Sequence, residues 1–191
     1  PINNSTLLDY INNDSSADSM LNSINGSTSA ATQMLKAKVS KTGYENTDKS
    51  SEDLQNAIDK LAGKKSTVFK DARESKDTSK VTAAAQELID KYNSLVEVMS
   101  KTSSSLDEFY KKALKGLPES IKESLEKVGI TYNSDGTLEV DSDKLKKADV
   151  DSLEKIFGSD SEFMKKLSFV TDRIESNAEA NLQSVSSTYS S

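Results

Sequence analysis

SKVTAAAQELIDKYNSLVEVMS, residues 79–100, decides the fold. Val81, Ala85, Leu88, Tyr92, Leu95 and Met99 recur at alternating steps of four and three, which lines their side chains along one face of an α-helix. Neither glycine nor proline interrupts the run. A stripe of this kind has to be covered by other helices, in the same chain or in another. The fold class that follows is mainly α, a helical bundle or coiled-coil stalk. A closed intramolecular bundle is the plainest cover, and self-association into a homo-oligomer through leftover seam surface is the other.

Toward the N-terminus, Leu54, Ile58 and Leu61 continue the helical spacing until Gly63 interrupts it, and Val68-Phe69 forms a small apolar pair beyond. Before residue 51 the pattern weakens. Leu7, Leu8, Tyr10 and Ile11, then Met20, Leu21 and Ile24, sit among Asn, Ser and Asp. Asn25-Gly26-Ser27 marks a turn, Ala30 to Val39 suits a modest helix, and Gly43 to Ser51 reads as a flexible linker. The expected organisation is a polar, Ser/Asn-rich segment over 1–50, partly ordered and gaining structure by packing on the rest, followed by a helical stalk domain over 51–191. The Asn-x-Ser/Thr triplets at Asn3, Asn4, Asn13 and Asn25 follow from composition. A chain that begins at Pro1 rather than Met is expected to be a fragment or a processed form.

Toward the C-terminus, Ser105 and Glu108 have the spacing of a capping box opening a helix that carries Leu106, Phe109, Tyr110, Ala113 and Leu114 and stops near Gly116. Pro118 suits the first turn of the next helix. There Ile121, Leu125 and Val128 share a face, and Gly129 closes it. Residues 130–140 change period: Ile130-Thr131-Tyr132 and Thr137-Leu138-Glu139-Val140 flank Asn133-Ser134-Asp135-Gly136. This predicts a small β-hairpin with Gly136 at a positive φ. Asp141 or Ser142 would cap a short helix through Leu145. Another short helix begins near Asp151 and Glu154 and ends at Phe157-Gly158. Ser159 and Glu162 form a second capping box. The last helix then presents Phe163, Leu167, Val170, Ile174, Ala178, Leu182 and Val185, with a stutter after Ile174 and fraying past Ser184.

Composition excludes several kinds of chemistry. The 191 residues include no His, no Cys and no Trp, so Cys/His zinc sites, disulfides, thiol nucleophiles and imidazole bases are impossible. Acidic residues exceed basic ones by 31 to 25, a net charge of −6, which leaves no broad positive field for nucleic acid. No apolar run approaches the ~20 residues that span a bilayer. Thr131 to Ser142 superficially matches a calcium loop with Gly136 at its sixth position, but Thr131 and Ser142 stand where carboxylates are needed. Asp71 with Glu74, and Asp141 with Asp143, could serve acid–base chemistry; helix caps and solvated ends explain them better. Lys64-Lys65 and Lys146-Lys147 are pairs, not patches. Nothing in the chain points to an enzyme, a cofactor or a metal.

LEKVGITYNSDGTLEVDSDKL, residues 125–145, is similar to the C-terminal region of the flagellar hook-associated protein 2 (filament cap) family, which carries a "GIT…DGTL.vD..KL" run. Ala148 and the Ile156-Phe157 pair follow in the family's order, and Ile89-Asp90-Lys91-Tyr92-Asn93-Ser94-Leu95 resembles its "f.d.YN.L" helix motif. The matching stretch runs from about residue 84 to 158. The chain also resembles short Gram-positive relatives with a Ser-rich head and the same tail.

That resemblance implies a non-enzymatic, mostly helical stalk of an exported bacterial flagellar protein, located outside the cell. Its implied partners are flagellar axial subunits or copies of itself, assembled into a ring-like cap that guides flagellin. The positions it assigns to fold and assembly are Tyr92, Asn93, Gly129, Ile130, Gly136, Leu138, Val140, Leu145 and Phe157. Cap proteins of full length are longer, with a β-rich insertion, an N-terminal helix motif not found here, and a C-terminal apolar coil where this chain has Gln183 to Tyr189. The alternative is a secreted or surface protein-binding or adhesion module reusing the same stalk.

Overall fold

The structure, a computed structural model, describes the backbone of residues 30–102 and 104–189 and the side chains of 38–102 and 104–185. In chain order the elements are α1 (Ala30–Ala62), α2 (Val68–Ser75), α3 (Ser79–Met99), α4 (Ser105–Ser120), α5 (Lys122–Lys127), β1 (Ile130–Tyr132), β2 (Leu138–Val140), α6 (Ser142–Lys147), α7 (Val150–Phe157) and α8 (Glu162–Tyr189). It is mainly α with one small antiparallel hairpin, as the sequence predicts.

Three long helices make the bundle. α1 lies antiparallel to α8: Gln55 Nε2 donates to the Ser168 carbonyl at 2.8 Å, and two turns earlier Asp48 faces Glu175. α1 is also antiparallel to α3, since Lys60 meets Glu87 at 2.9 Å near one end while Gly43 lies beside Thr102 near the other. The predicted α3 seam is the centre of the core: Val81, Ala85, Leu88, Tyr92, Leu95 and Met99 are all buried. Leu54, Ile58 and Leu61 of α1 and Met164, Leu167 and Ile174 of α8 complete it.

The structure corrects the reading of α1. Gly43 to Ser51 is helix, continuous with both the predicted Ala30–Val39 stretch and the apolar run that follows. Thr47, Ser51, Leu54, Ile58 and Leu61 form one four-and-three seam, and its first two members are polar yet buried. Thr47 solves the problem locally by donating its hydroxyl to the Gly43 carbonyl at 2.9 Å. A seam built from Thr and Ser has the right spacing and the wrong hydropathy, so it reads as a linker. The same substitution occurs in α8, where Thr171 is fully buried and donates to the Leu167 carbonyl, while Val170 is only half-buried. The apolar clusters at 7–11 and 20–24, the 25–27 turn and the Asn triplets lie outside the described residues.

Caps and boundaries shift by small amounts with clear causes. Ser104, not Ser105, caps α4, accepting from the Asp107 N–H at 3.1 Å, and Glu108 reaches Lys111 instead of the cap. α4 continues through Gly116, and Pro118 falls in its last turn rather than opening the next helix. Ser161, not Ser159, caps α8: its Oγ accepts from Met164 N–H and donates to the Ile156 carbonyl. Asp141 and Asp149 cap α6 and α7. α8 is helical to Tyr189, past the expected fraying point.

Candidate functional site

A two-stranded hairpin alone is marginal in water, so what the rest of the chain does to hold it matters. Here β1 and β2 pair Ile130 with Val140, Thr131 with Glu139 and Tyr132 with Leu138. Alternation puts Ile130, fully buried, and Leu138, nearly so, on the inner face. The turn is tied by Asn133 N–H to the Thr137 carbonyl at 2.8 Å and by Gly136 N–H to the Asn133 carbonyl at 3.0 Å. Gly136 sits at φ +88°, as its turn requires. Asp135 accepts from both the main-chain N–H and the hydroxyl of Thr137, which holds its carboxyl below the usual range; it is committed to the turn rather than to a cation.

α3 clasps this hairpin with two successive side chains. Tyr92 Oη donates to the Gly136 carbonyl at 2.7 Å. Asn93 Nδ2 donates to the Leu138 carbonyl at 2.7 Å, and Asn93 Oδ1 accepts from the Leu138 N–H at 2.8 Å. Burial, followed by the neighbouring Tyr132 and Asp135, pushes the Tyr92 hydroxyl well above its ordinary pKa, so it stays a neutral donor. The stem of Lys115, from α4, crosses Gly136 on the outside.

The base of the hairpin is equally fixed. Gly129, at φ +90°, accepts from the Asp141 N–H at 2.8 Å. A Cβ on it would lie 2.9 Å from Lys144 Cβ and 3.0 Å from the Asp141 carbonyl, so α6 can pack there only against glycine. Of the nine positions singled out in sequence, the structure places Tyr92, Asn93, Gly129, Ile130, Gly136, Leu138 and Val140 at this junction. Leu145 is buried in α6 just past it, and Phe157 is buried at the end of α7. All are buried or half-buried.

Spacing alone could not reveal the long-range polar ties. Arg73 on α2 bridges Asp151 at 2.6 Å and Glu154 at 2.9 Å on α7, and these acids hold its guanidinium in the charged form. Asp107 is buried on α4; its Oδ1 accepts from Asn177 on α8 at 3.1 Å, while Oδ2 has no partner among the described residues. The carboxylates of Asp48, Glu175 and Glu179 approach within 4.8 Å of one another, and burial followed by these acidic neighbours raises the Glu175 pKa. Of the four acids considered for acid–base work, Asp71 accepts from the Thr67 hydroxyl, Glu74 sits 3.9 Å from Lys70, Asp141 is a cap, and Asp143 is exposed in the first turn of α6. No described helix is long and apolar enough to cross a membrane.

Residues 117–191, about two-fifths of the chain, match the family model described as flagellar hook-associated protein 2 C-terminus. The match begins in the last turn of α4 and takes in the hairpin and all of α8, while Tyr92 and Asn93 lie upstream of it. It supports the resemblance carried by residues 125–145 and a cap-like structural role; that family is an extracellular, structural component of the flagellum. No curated protein and no solved structure matches the chain.

Proposed function

We propose that this protein is a structural or assembly subunit of the bacterial flagellum whose helical stalk packs beside other axial subunits through helix–helix contacts. The reading is carried by one observation: the segment similar to the filament-cap family is the segment that α3 clasps through Tyr92 and Asn93. The clasp ties the hairpin to the stalk as one unit, which suits a subunit that positions neighbours. No reacting group is needed for that role, because rigidity and surface shape do the work. In this reading the protein is exported and acts outside the cell.

Deleting the encoding gene and scoring filament length and swimming tests the proposal. Short or absent filaments, restored by the wild-type gene, are expected; normal filaments and normal swimming reject it. The second reading, a secreted or surface protein-binding or adhesion module, draws on the exposed Phe109 and Phe169 side chains, 65% and 60% accessible. Recovery of only non-flagellar partners from cell-surface fractions would favour that module.

A further inference from the structure

Asp135-Gly136 is the one Asp-Gly pair in the chain, and that dipeptide has a reaction of its own. The Gly136 nitrogen can attack Asp135 Cγ. A C–N bond forms, a C–O bond breaks, and the carboxyl OH leaves with the amide proton as water. Water then opens the cyclic imide at the Asp135 main-chain carbonyl. The product is isoaspartate, in which the chain runs through Cγ and the α-carboxylate is free. Nothing is oxidised or reduced. Glycine favours the attack because no Cβ stands in its way.

In the folded chain each reacting group is held elsewhere. The Gly136 N–H is donated to the Asn133 carbonyl at 3.0 Å, and the residue is buried. Asp135 Oδ1 accepts from the Thr137 N–H at 2.9 Å and from its hydroxyl at 2.5 Å. Those bonds also favour the ionised carboxyl, whereas the attack needs the neutral acid, from which OH can leave. Cyclisation therefore has to undo the turn. The turn in turn is held by α3, through Tyr92 on the Gly136 carbonyl at 2.7 Å and Asn93 on both main-chain polar atoms of Leu138.

We propose that Asp135-Gly136 is a modification site gated by the α3 clasp: isoaspartate forms there in molecules whose hairpin has come away from Tyr92 and Asn93. The change then holds the gate open. Its extra backbone methylene lies between Asp135 and Gly136, so the Gly136 N–H and carbonyl can no longer meet Asn133 and Tyr92 together. The modification thus records, irreversibly, that a hairpin has opened. The inference is independent of the flagellar reading, since it rests on the turn and the clasp alone.

Ageing the full chain in mildly acidic buffer tests this. The tryptic peptide 128–144 isolates the site between Lys127 and Lys144, and backbone fragmentation in a mass spectrometer locates isoaspartate at 135. Isomerisation leaves the peptide mass unchanged, which separates it from deamidation at Asn133. The folded chain should accumulate isoaspartate far more slowly than the same chain in guanidinium chloride. Asn93→Leu should raise the rate in buffer roughly tenfold or more, because the open hairpin becomes more populated. Tyr92→Phe, which keeps the ring and loses one hydrogen bond, should raise it several-fold with the helical circular dichroism retained. Arg73→Ala, which cuts the tie between α2 and α7, should leave it unchanged. A folded chain that reacts as fast as the denatured one overturns the proposal, as do clasp variants that react as slowly as wild type. Equal acceleration by Arg73→Ala assigns the reaction to general loosening and overturns it too.

Discussion

The side-chain amide of Asn93 satisfies both main-chain polar atoms of Leu138, as a neighbouring strand would. A helix thereby supplies the third partner that a two-stranded hairpin lacks. Tyr92, the adjacent residue, fixes the turn at the same time. Position 92 belongs to the buried seam and position 93 borders it, so hairpin and bundle form one unit.

Replacing Asn93 with Leu strands an N–H and a carbonyl on Leu138. Each unpaired buried group costs ~1–3 kcal/mol, and because the site is only half-buried we expect about 2 kcal/mol in total. Denaturant unfolding measures it. Amide exchange should accelerate first in 130–140, and an unchanged midpoint with unchanged exchange would mean that the clasp is idle.

The two positive-φ glycines should respond differently to alanine. Both pay for a left-handed backbone, of order 1–2 kcal/mol. At Gly136 the atoms nearest the new Cβ belong to the flexible stem of Lys115, which can move aside. At Gly129 it meets main-chain and Cβ atoms of α6. Gly129→Ala should therefore lower the melting temperature clearly more than Gly136→Ala; equal losses would show that α6 yields.

Alkaline unfolding should report Tyr92. Its pKa in the folded protein is raised above the ordinary 10.0, chiefly by burial. The hydroxyl therefore adds stability that is fully present below pH 10, where it is neutral in both states. Above pH 10 the unfolded chain ionises first, and stability falls as pH rises further. Tyr92→Phe should be less stable near neutrality, through loss of the bond to Gly136, yet show a shallower decline above pH 10. Tyrosinate absorbance followed together with circular dichroism separates the two effects.

Glu175 should act in the opposite pH range. Burial, then Glu179, Asp48, Asp172 and Glu52, raise its pKa above the ordinary 4.5. Charged Glu175 is thus a cost to the fold near neutrality. That cost is relieved as pH falls through the raised value toward 4.5, because the folded state takes up the proton first. Glu175→Gln should stabilise the protein near pH 7 and flatten its stability profile between neutrality and pH 4.5. A destabilised variant would instead assign the carboxylate a favourable partner.

Sequence reading located this site but could not assemble it. Asn93 and Leu138 stood in separate motifs, and nothing in their spacing says that an amide and a peptide group meet. The hairpin was legible because Gly136 and the flanking β-branched residues obey local rules. Ser104 and Ser161 were missed as caps because Ser105 and Ser159 offer equally good local patterns, and the two are separated only by where the chain enters the bundle. Lys115 over Gly136 and Arg73 between α2 and α7 are contacts across elements, with no signature in either segment.

What the sequence determined by itself was the α3 seam, the helical class and the β-turn, because periodicity and the conformational needs of glycine act over a few neighbouring residues. Only the tertiary structure decided that residues 43–51 are helix and that Thr47, Ser51 and Thr171 belong in the interior. A hydroxyl is read as polar along the chain. Once helices pack on both sides, Thr47 and Thr171 satisfy their hydroxyls with a carbonyl one turn back in the same helix, whereas the Ser51 hydroxyl is buried with no partner among the described residues and is held there by the packing around it.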